Sequence, residues 1–270
     1  MYKGSISLKK NTTLTMMRGT KPDITTGLIL HLMFDEGADV ILVDTSGNNN
    51  TGTITIGAGG TQTQVGTFVD GDTTSAWYNG RTGISGTSLN FDGTDDFVTI
   101  ADSASLDVTT GLTISVFFKK PTNGRYERMV EKLSTASNSP LWGMQLTDTG
   151  KLQFFIGNAG SSTNYYINSN TAITDSNWHQ YTATYRADNS LAYLYIDGAL
   201  DKLGQVVFVA GGGGAWSGNV ETSTGNLLIG KMIYSGASSY LKGQLDELKI
   251  FNRALKSPDV YTNYARTINI

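Results

Sequence analysis

Carboxylates are the first candidates for chemistry in this chain. Asp92, Asp95 and Asp96 fall within five residues of one another in SLNFDGTDDFVTI, residues 88–100. Clustered acids can hold a hard cation, which takes roughly six to eight oxygen ligands. The same residues also spell a turn, with Gly93 permitting positive φ and Asp side chains bonding nearby amides. A second oxygen-rich stretch, VDTSGNNNTG at residues 43–52, offers the Asp44 carboxylate, Asn48 and free carbonyls.

Other chemistry finds little support. There are no cysteines, which removes thiolate catalysis, thiolate metal sites and disulfides together. The two histidines, His31 and His179, each sit in a strand-like segment with no nucleophile beside them in sequence. Gly211–Gly214 is followed by Ala215-Trp216-Ser217, where a phosphate-binding loop needs Lys and Ser or Thr. Retaining glycan hydrolysis needs two carboxyls about 5 Å apart. Asp246 and Glu247 are adjacent, so on a regular strand they point to opposite faces. Glu127 and Glu131 flank Met129 with no acid between them. The chain reads as non-enzymatic.

Sugar binding uses exposed aromatics with polar groups around them. Trp77, Tyr78, Trp216 and Tyr234 lie in Gly/Ser-rich, loop-like stretches and are the candidates. A competing reading packs these rings under a loop or against a partner subunit. Trp142 and Trp178, at strand starts, read as core.

The elements that would position these groups are strands. Only 16% of residues are charged, and 32 Gly stand against 4 Pro, the make-up of a β-rich protein with many turns. The net charge of −3, with no Lys/Arg cluster, argues against nucleic acid. No apolar run approaches the roughly 20 residues of a membrane helix. Leu112, Ile114, Val116 and Phe118 alternate with period two, the clearest strand signal. Tyr181, Ala183 and Tyr185 share one face of the next long strand; Ala192, Leu194 and Ile196 face inward from the one after. Ser257-Pro258-Asp259 reads as an N-cap, a Pro at the first helical position and an early acid, opening one short helix of one to two turns. Residues 1–26 look separate, an arm for anchoring or oligomer contact. The segment has no apolar core of signal-peptide length, so a product made in a host cytoplasm is expected.

GLILHLMFDEG followed by VDTSGNNNTGTI resembles the opening of laminin G-like jelly-roll domains of the concanavalin A-like lectin/glucanase superfamily. SLNFDGTDDFVTI, LTISVFFKK, NWHQYTATY with LAYLYIDGAL, and LKGQLDELKIFNRAL resemble later motifs in the same order. The resemblance covers residues 27 to about 265. It implies an all-β, two-sheet antiparallel jelly-roll sandwich over residues 27–270, with one short C-terminal helix and an N-terminal arm at 1–26. It also implies a structural Ca2+ bound by Asp44, Asn48, Gly52 and Asp246, the alternative being that Asp44 is only a turn former. Beside that pattern Asp92 and Asp95 read as turn formers, and Phe91, Phe97 and Val98 as core.

For function, the expectation is a structural and adhesion protein on a phage or virus particle. It would be a symmetric homo-oligomer, anchored to other virion proteins through residues 1–26 and touching host or environmental glycans at the virion surface. The alternative is a secreted or cell-surface, calcium-dependent carbohydrate-binding module. No nucleic-acid partner and no membrane insertion are expected.

Overall fold

The structure is a computed structural model that describes residues 22–66, 74–77, 84–121, 124–135, 140–158, 164–207, 214–234 and 237–268. In chain order the strands are β1 (Leu28–Leu32), β2 (Ile41–Leu42), β3 (Gly52–Thr55), β4 (Leu89–Asp92), β5 (Phe97–Ile100), β6 (Gly111–Lys119), β7 (Glu127–Leu133), β8 (Pro140–Leu146) and β9 (Lys151–Gly157). They continue with β10 (Asn164–Ala172), β11 (Trp178–Arg186), β12 (Leu191–Ile196), β13 (Ala199–Gln205), β14 (Leu227–Ile229), β15 (Lys231–Tyr234), β16 (Ala237–Tyr240) and β17 (Lys242–Phe251). Helix α1 (Ser257–Ile268) follows.

Two antiparallel sheets form the sandwich. One runs β1-β17-β6-β11-β12-β13, with β4 also paired to β17; the other runs β10-β9-β8-β7-β14-β5-β3-β2. The hairpin β15-β16 stands apart. The alternating residues meet between the sheets as expected. Leu112, Ile114, Val116, Phe118, Tyr181, Ala183, Tyr185, Ala192 and Leu194 are all fully buried, facing Val98, Ile100, Met144, Phe154 and Ile229 in one continuous core. Burying each large side chain contributes about 1.5–3 kcal/mol before chain entropy is counted.

The alternate residues of β6 are buried too, because α1 lies on the outer face of this sheet. Asn263 Nδ2 donates to Ser115 Oγ at 3.1 Å. Tyr264 stacks on Phe117 with ring centres 6.1 Å apart. A second small cluster of Tyr195, Phe251, Leu255 and Val260 fills that layer. The helix has 12 residues, longer than expected. Asp259, rather than Ser257, closes its start: Asp259 Oδ2 accepts from the Lys256 amide at 3.3 Å. Ser257 Oγ pairs instead with the Tyr195 hydroxyl at 3.1 Å.

Three features go beyond the strand phases read from the sequence. Strands β10, of nine residues, and β13, of seven, form edges of the two sheets. Gly230 breaks the chain between β14 and the unexpected hairpin β15-β16, at φ +76°. Third, β17 is not regular: its register against β6 shifts between Asp246 and Lys249, and Glu247 sits at φ +52°. This bulge leaves both neighbouring acids buried, at 2% and 4% exposure, where a regular strand would have put one on each face.

A Cβ on Gly230 would lie 2.5 Å from the Phe91 ring while forced to positive φ. Gly230→Ala should therefore destabilise the fold by about 2–4 kcal/mol, the sum of backbone strain and overpacking. Urea unfolding monitored by tryptophan fluorescence would measure it.

Candidate binding groove

The histidines are occupied structurally. His31 Nε2 pairs with Glu247 Oε2 at 3.0 Å and its Nδ1 with Thr45 Oγ1 at 2.9 Å. His179 lies between Asp197, at 2.7 Å, and Asp175, at 3.1 Å. These two acids, with hydrogen bonding to Asp197 the larger cause, raise its pKa against the effect of burial. Glu127 and Glu131 each have their own work. Glu127 accepts from the Lys242 amide at 2.8 Å and pairs with Arg125 at 3.1 Å. Glu131 accepts from the Ile233 amide at 3.0 Å and pairs with Arg128 at 3.2 Å. Burial pushes Glu127 up to about 7. Both carboxylates tie the β15-to-β17 segment onto β7.

Of the expected calcium ligands, Asp44, Asn48 and Gly52 are already engaged within the protein. Asp44 Oδ1 accepts from the amides of His31 and Ser46, both at 2.9 Å. Its Oδ2 accepts from Ser46 Oγ at 2.8 Å and the Asn50 amide at 2.9 Å. A carboxylate has about four lone-pair positions, and four donors fill them. Asn48 turns its amide nitrogen to Leu28 O at 3.1 Å, and Gly52 is a paired residue of β3. Asp246 is elsewhere, because β1 lies between Asp44, which bridges to Leu32, and β17. Burial, followed by the charges of Glu247 and Asp35, pushes Asp246 up to about 9. Asp44 is thus a turn former, the second of the two readings its sequence allowed.

The aromatic candidates are also redistributed. Trp77 is fully buried, with Nε1 donating to Asp39 O at 3.2 Å. Trp216 is 7% exposed and set edge-on to Tyr165, ring centres 5.4 Å apart. Neither ring offers a face to a sugar; each pays for its loop by removing apolar area from water. Tyr78 lies outside the described residues, as does the side chain of Tyr234. Trp142 is core at 1% exposure, as expected, while Trp178 is half-buried.

A different aromatic lines a cavity of about 700 Å³ on the outer face of the α1-bearing sheet. Tyr193 points outward from β12 because its neighbours Ala192 and Leu194 point into the core. It lies opposite Thr184 of β11. Arg186 and Asp188 form one wall, joined by bonds of 3.2 and 2.5 Å. Asn219, Arg253 and Lys256 complete the polar surround, with Ser257 at the start of α1. Arg253 is itself held by the carbonyls of Thr26 at 2.7 Å and Asp23 at 2.6 Å. The volume falls in the range of small-ligand sites, and an aromatic among convergent polar groups suits a hydroxyl-rich ligand. The inward pattern of Ala192, Leu194 and Ile196 already implied that Tyr193 faces outward. The approach of Asn219 and Lys256 from distant segments had no signal in the sequence.

A model of the concanavalin A-like lectin/glucanases superfamily matches residues 92–261, and the chain belongs to that superfamily. No curated protein sequence matches it. Among solved structures it is similar to the binding domain of Paraclostridial Mosquitocidal Protein 1, at 15% identity and TM-score 0.59, over 88% of this chain and 52% of that one. It is similar to the botulinum neurotoxin serotype D ligand-binding domain in complex with N-acetylneuraminic acid, at 15% identity and TM-score 0.57, over 90% and 51%. It is also similar to the binding domain of botulinum neurotoxin DC in complex with rat synaptotagmin II, at 14% identity and TM-score 0.57, over 91% and 52%. The chain spans about half the length of each, and at these identities the likeness shows the fold.

Asp44→Ala should lower stability by about 2–4 kcal/mol through loss of charge-assisted hydrogen bonds. The loss should be the same in excess chelator and in added calcium, as read by thermal unfolding.

Proposed function

We propose that the protein is a non-enzymatic adhesion domain that binds carbohydrate in the Tyr193 groove and is displayed at the surface of a virion. The observation that carries the glycan reading is Tyr193 set in a cavity with Arg186, Asp188, Asn219 and Lys256 converging around it. Its ring supplies an apolar platform for a sugar face, and the polar groups can fix hydroxyls. Three basic side chains and the N-terminal end of α1 favour a sugar carrying a carboxylate or other anionic group. A similar fold in complex with N-acetylneuraminic acid, and another with a receptor protein, support a surface used for recognition.

Display on a particle needs an attachment. Residues 1–26 precede the sandwich, and the base of that arm is tied down: the Asp23 amide donates to Asp259 Oδ1 at 3.0 Å, and Arg253 grips Asp23 and Thr26. This supports an arm that leaves the body beside α1 and anchors it to other virion proteins, in a symmetric homo-oligomer.

On a glycan array the protein should bind acidic sugars, and Tyr193→Ala should weaken the best of these about tenfold or more by calorimetry. Unchanged affinity in Tyr193→Ala would sink the groove assignment. Mass spectrometry of purified particles should find the protein in stoichiometric amount, with deletion of residues 1–26 removing it. Its absence from particles, with glycan binding retained, would make it an extracellular carbohydrate-binding module instead.

A further inference from the structure

The turn between β4 and β5 holds three carboxylates that the groove does not use. Asp92, Asp95 and Asp96 each bring an oxygen within 4.8 Å of the other two. The segment 57–62 crosses directly over them. A Cβ on Gly57 would fall 1.9 Å from Asp95 Cγ, and one on Gly60 would fall 1.9 Å from Asp92 Oδ2. Only glycine backbone can approach so closely.

The donors are too few for the acids. Asp92 Oδ2 accepts from the amides of Thr61 at 2.7 Å and Gln62 at 3.2 Å, and its Oδ1 from Thr94 at 2.8 Å. Asp95 Oδ2 accepts from Gly59 at 2.7 Å, and Asp96 Oδ2 from the Asp92 amide at 3.2 Å. Those five amides, with that of Gly57 also directed at Asp96, serve three carboxylates, whereas Asp44 alone has four donors. The remaining oxygens, Asp95 Oδ1 and Asp96 Oδ1, are buried and receive no hydrogen bond among the described residues. Asp96 is only 1% exposed. Arg125, which reaches this turn, is engaged by Gly93 O, Tyr240 O and Glu127; Lys242 stands opposite Asp92 across the β4-β17 pair, and Lys119 and Lys120 line the same cavity as Asp92.

Buried carboxylate oxygens without donors are costly unless positive charge meets them. Oxygen-only ligands select hard ions. We propose that Asp92, Asp95 and Asp96 bind one hard divalent cation of the Ca2+ class, with Asp96 the buried ligand and water completing the shell. The ion would pin segment 57–62 to the β4-β5 turn. Asp92, Gly60 and Thr61 also line a second cavity of about 530 Å³, so the ion would stiffen one of its walls. This is independent of carbohydrate binding at Tyr193.

Calcium titrated into chelator-treated full-length protein by calorimetry should bind at one equivalent, with Kd at or below about 1 mM. Hydrogen exchange on the same protein should slow at residues 57–62 and 92–96 on adding calcium. Asp95→Asn and Asp96→Asn keep side-chain shape and should each weaken binding about tenfold or more. If Asp96→Asn fails to fold, the partly exposed Asp95→Asn and the exchange pattern carry the test. Absence of saturable binding, protection confined to other segments, or wild-type affinity in the folded variants would each overturn the proposal.

Discussion

Backbone pairing of β17 with β1, β4 and β6 is the constraint on which the rest of the molecule depends. The last strand of the chain lies between strands from its first half, so the first sheet closes only when residues about 125 to 220 apart in sequence meet. Such pairing sets loop-closure entropy against the burial of Leu245, Leu248 and Ile250, which enter the core from β17. Once β17 is seated, the chain has one way to continue: across the outer face as α1. That helix buries the second face of β6 and ends the coverage where the Tyr193 groove opens.

The bulge in β17 has a consequence for electrostatics. It buries Asp246 and Glu247 side by side, yet they are treated oppositely. Glu247 receives His31 at 3.0 Å and Lys249 at 2.6 Å and is held below its usual range despite burial. Asp246 receives only amides, that of Ser85 at 3.4 Å and that of Glu247, and burial pushes its pKa up. Partners, more than proximity to charge of one sign, decide which of two adjacent buried acids ionises.

The same accounting separates two acid-rich turns that look alike on paper. In VDTSGNNNTG one carboxylate meets four donors, so its negative charge is used up in shaping the turn. In FDGTDDFV three carboxylates share six amides, that of Gly57 included, and two buried oxygens face none. Counting donors per oxygen separates the two turns where composition cannot.

The alternation of Leu112 to Phe118, of Tyr181 to Tyr185 and of Ala192 to Ile196 was sufficient to establish strands, their inward faces and a two-sheet β class, because side-chain direction in a strand follows a period of two. It also placed Tyr193 on the outside. Loop aromatics resisted such reading: Trp77 and Trp216 sit in Gly-rich stretches that have no period, and only the packed structure decided that their rings fill the interior. The Glu247 bulge, the length of α1 and the convergence of Asn219, Arg253 and Lys256 on Tyr193 were likewise set by tertiary contacts. Local sequence carries turn chemistry and strand phase, which depend on neighbours a few residues away. The lone pairs left over at Asp96 and the walls of a groove depend on what arrives from distant segments, and that is decided only when the two sheets close.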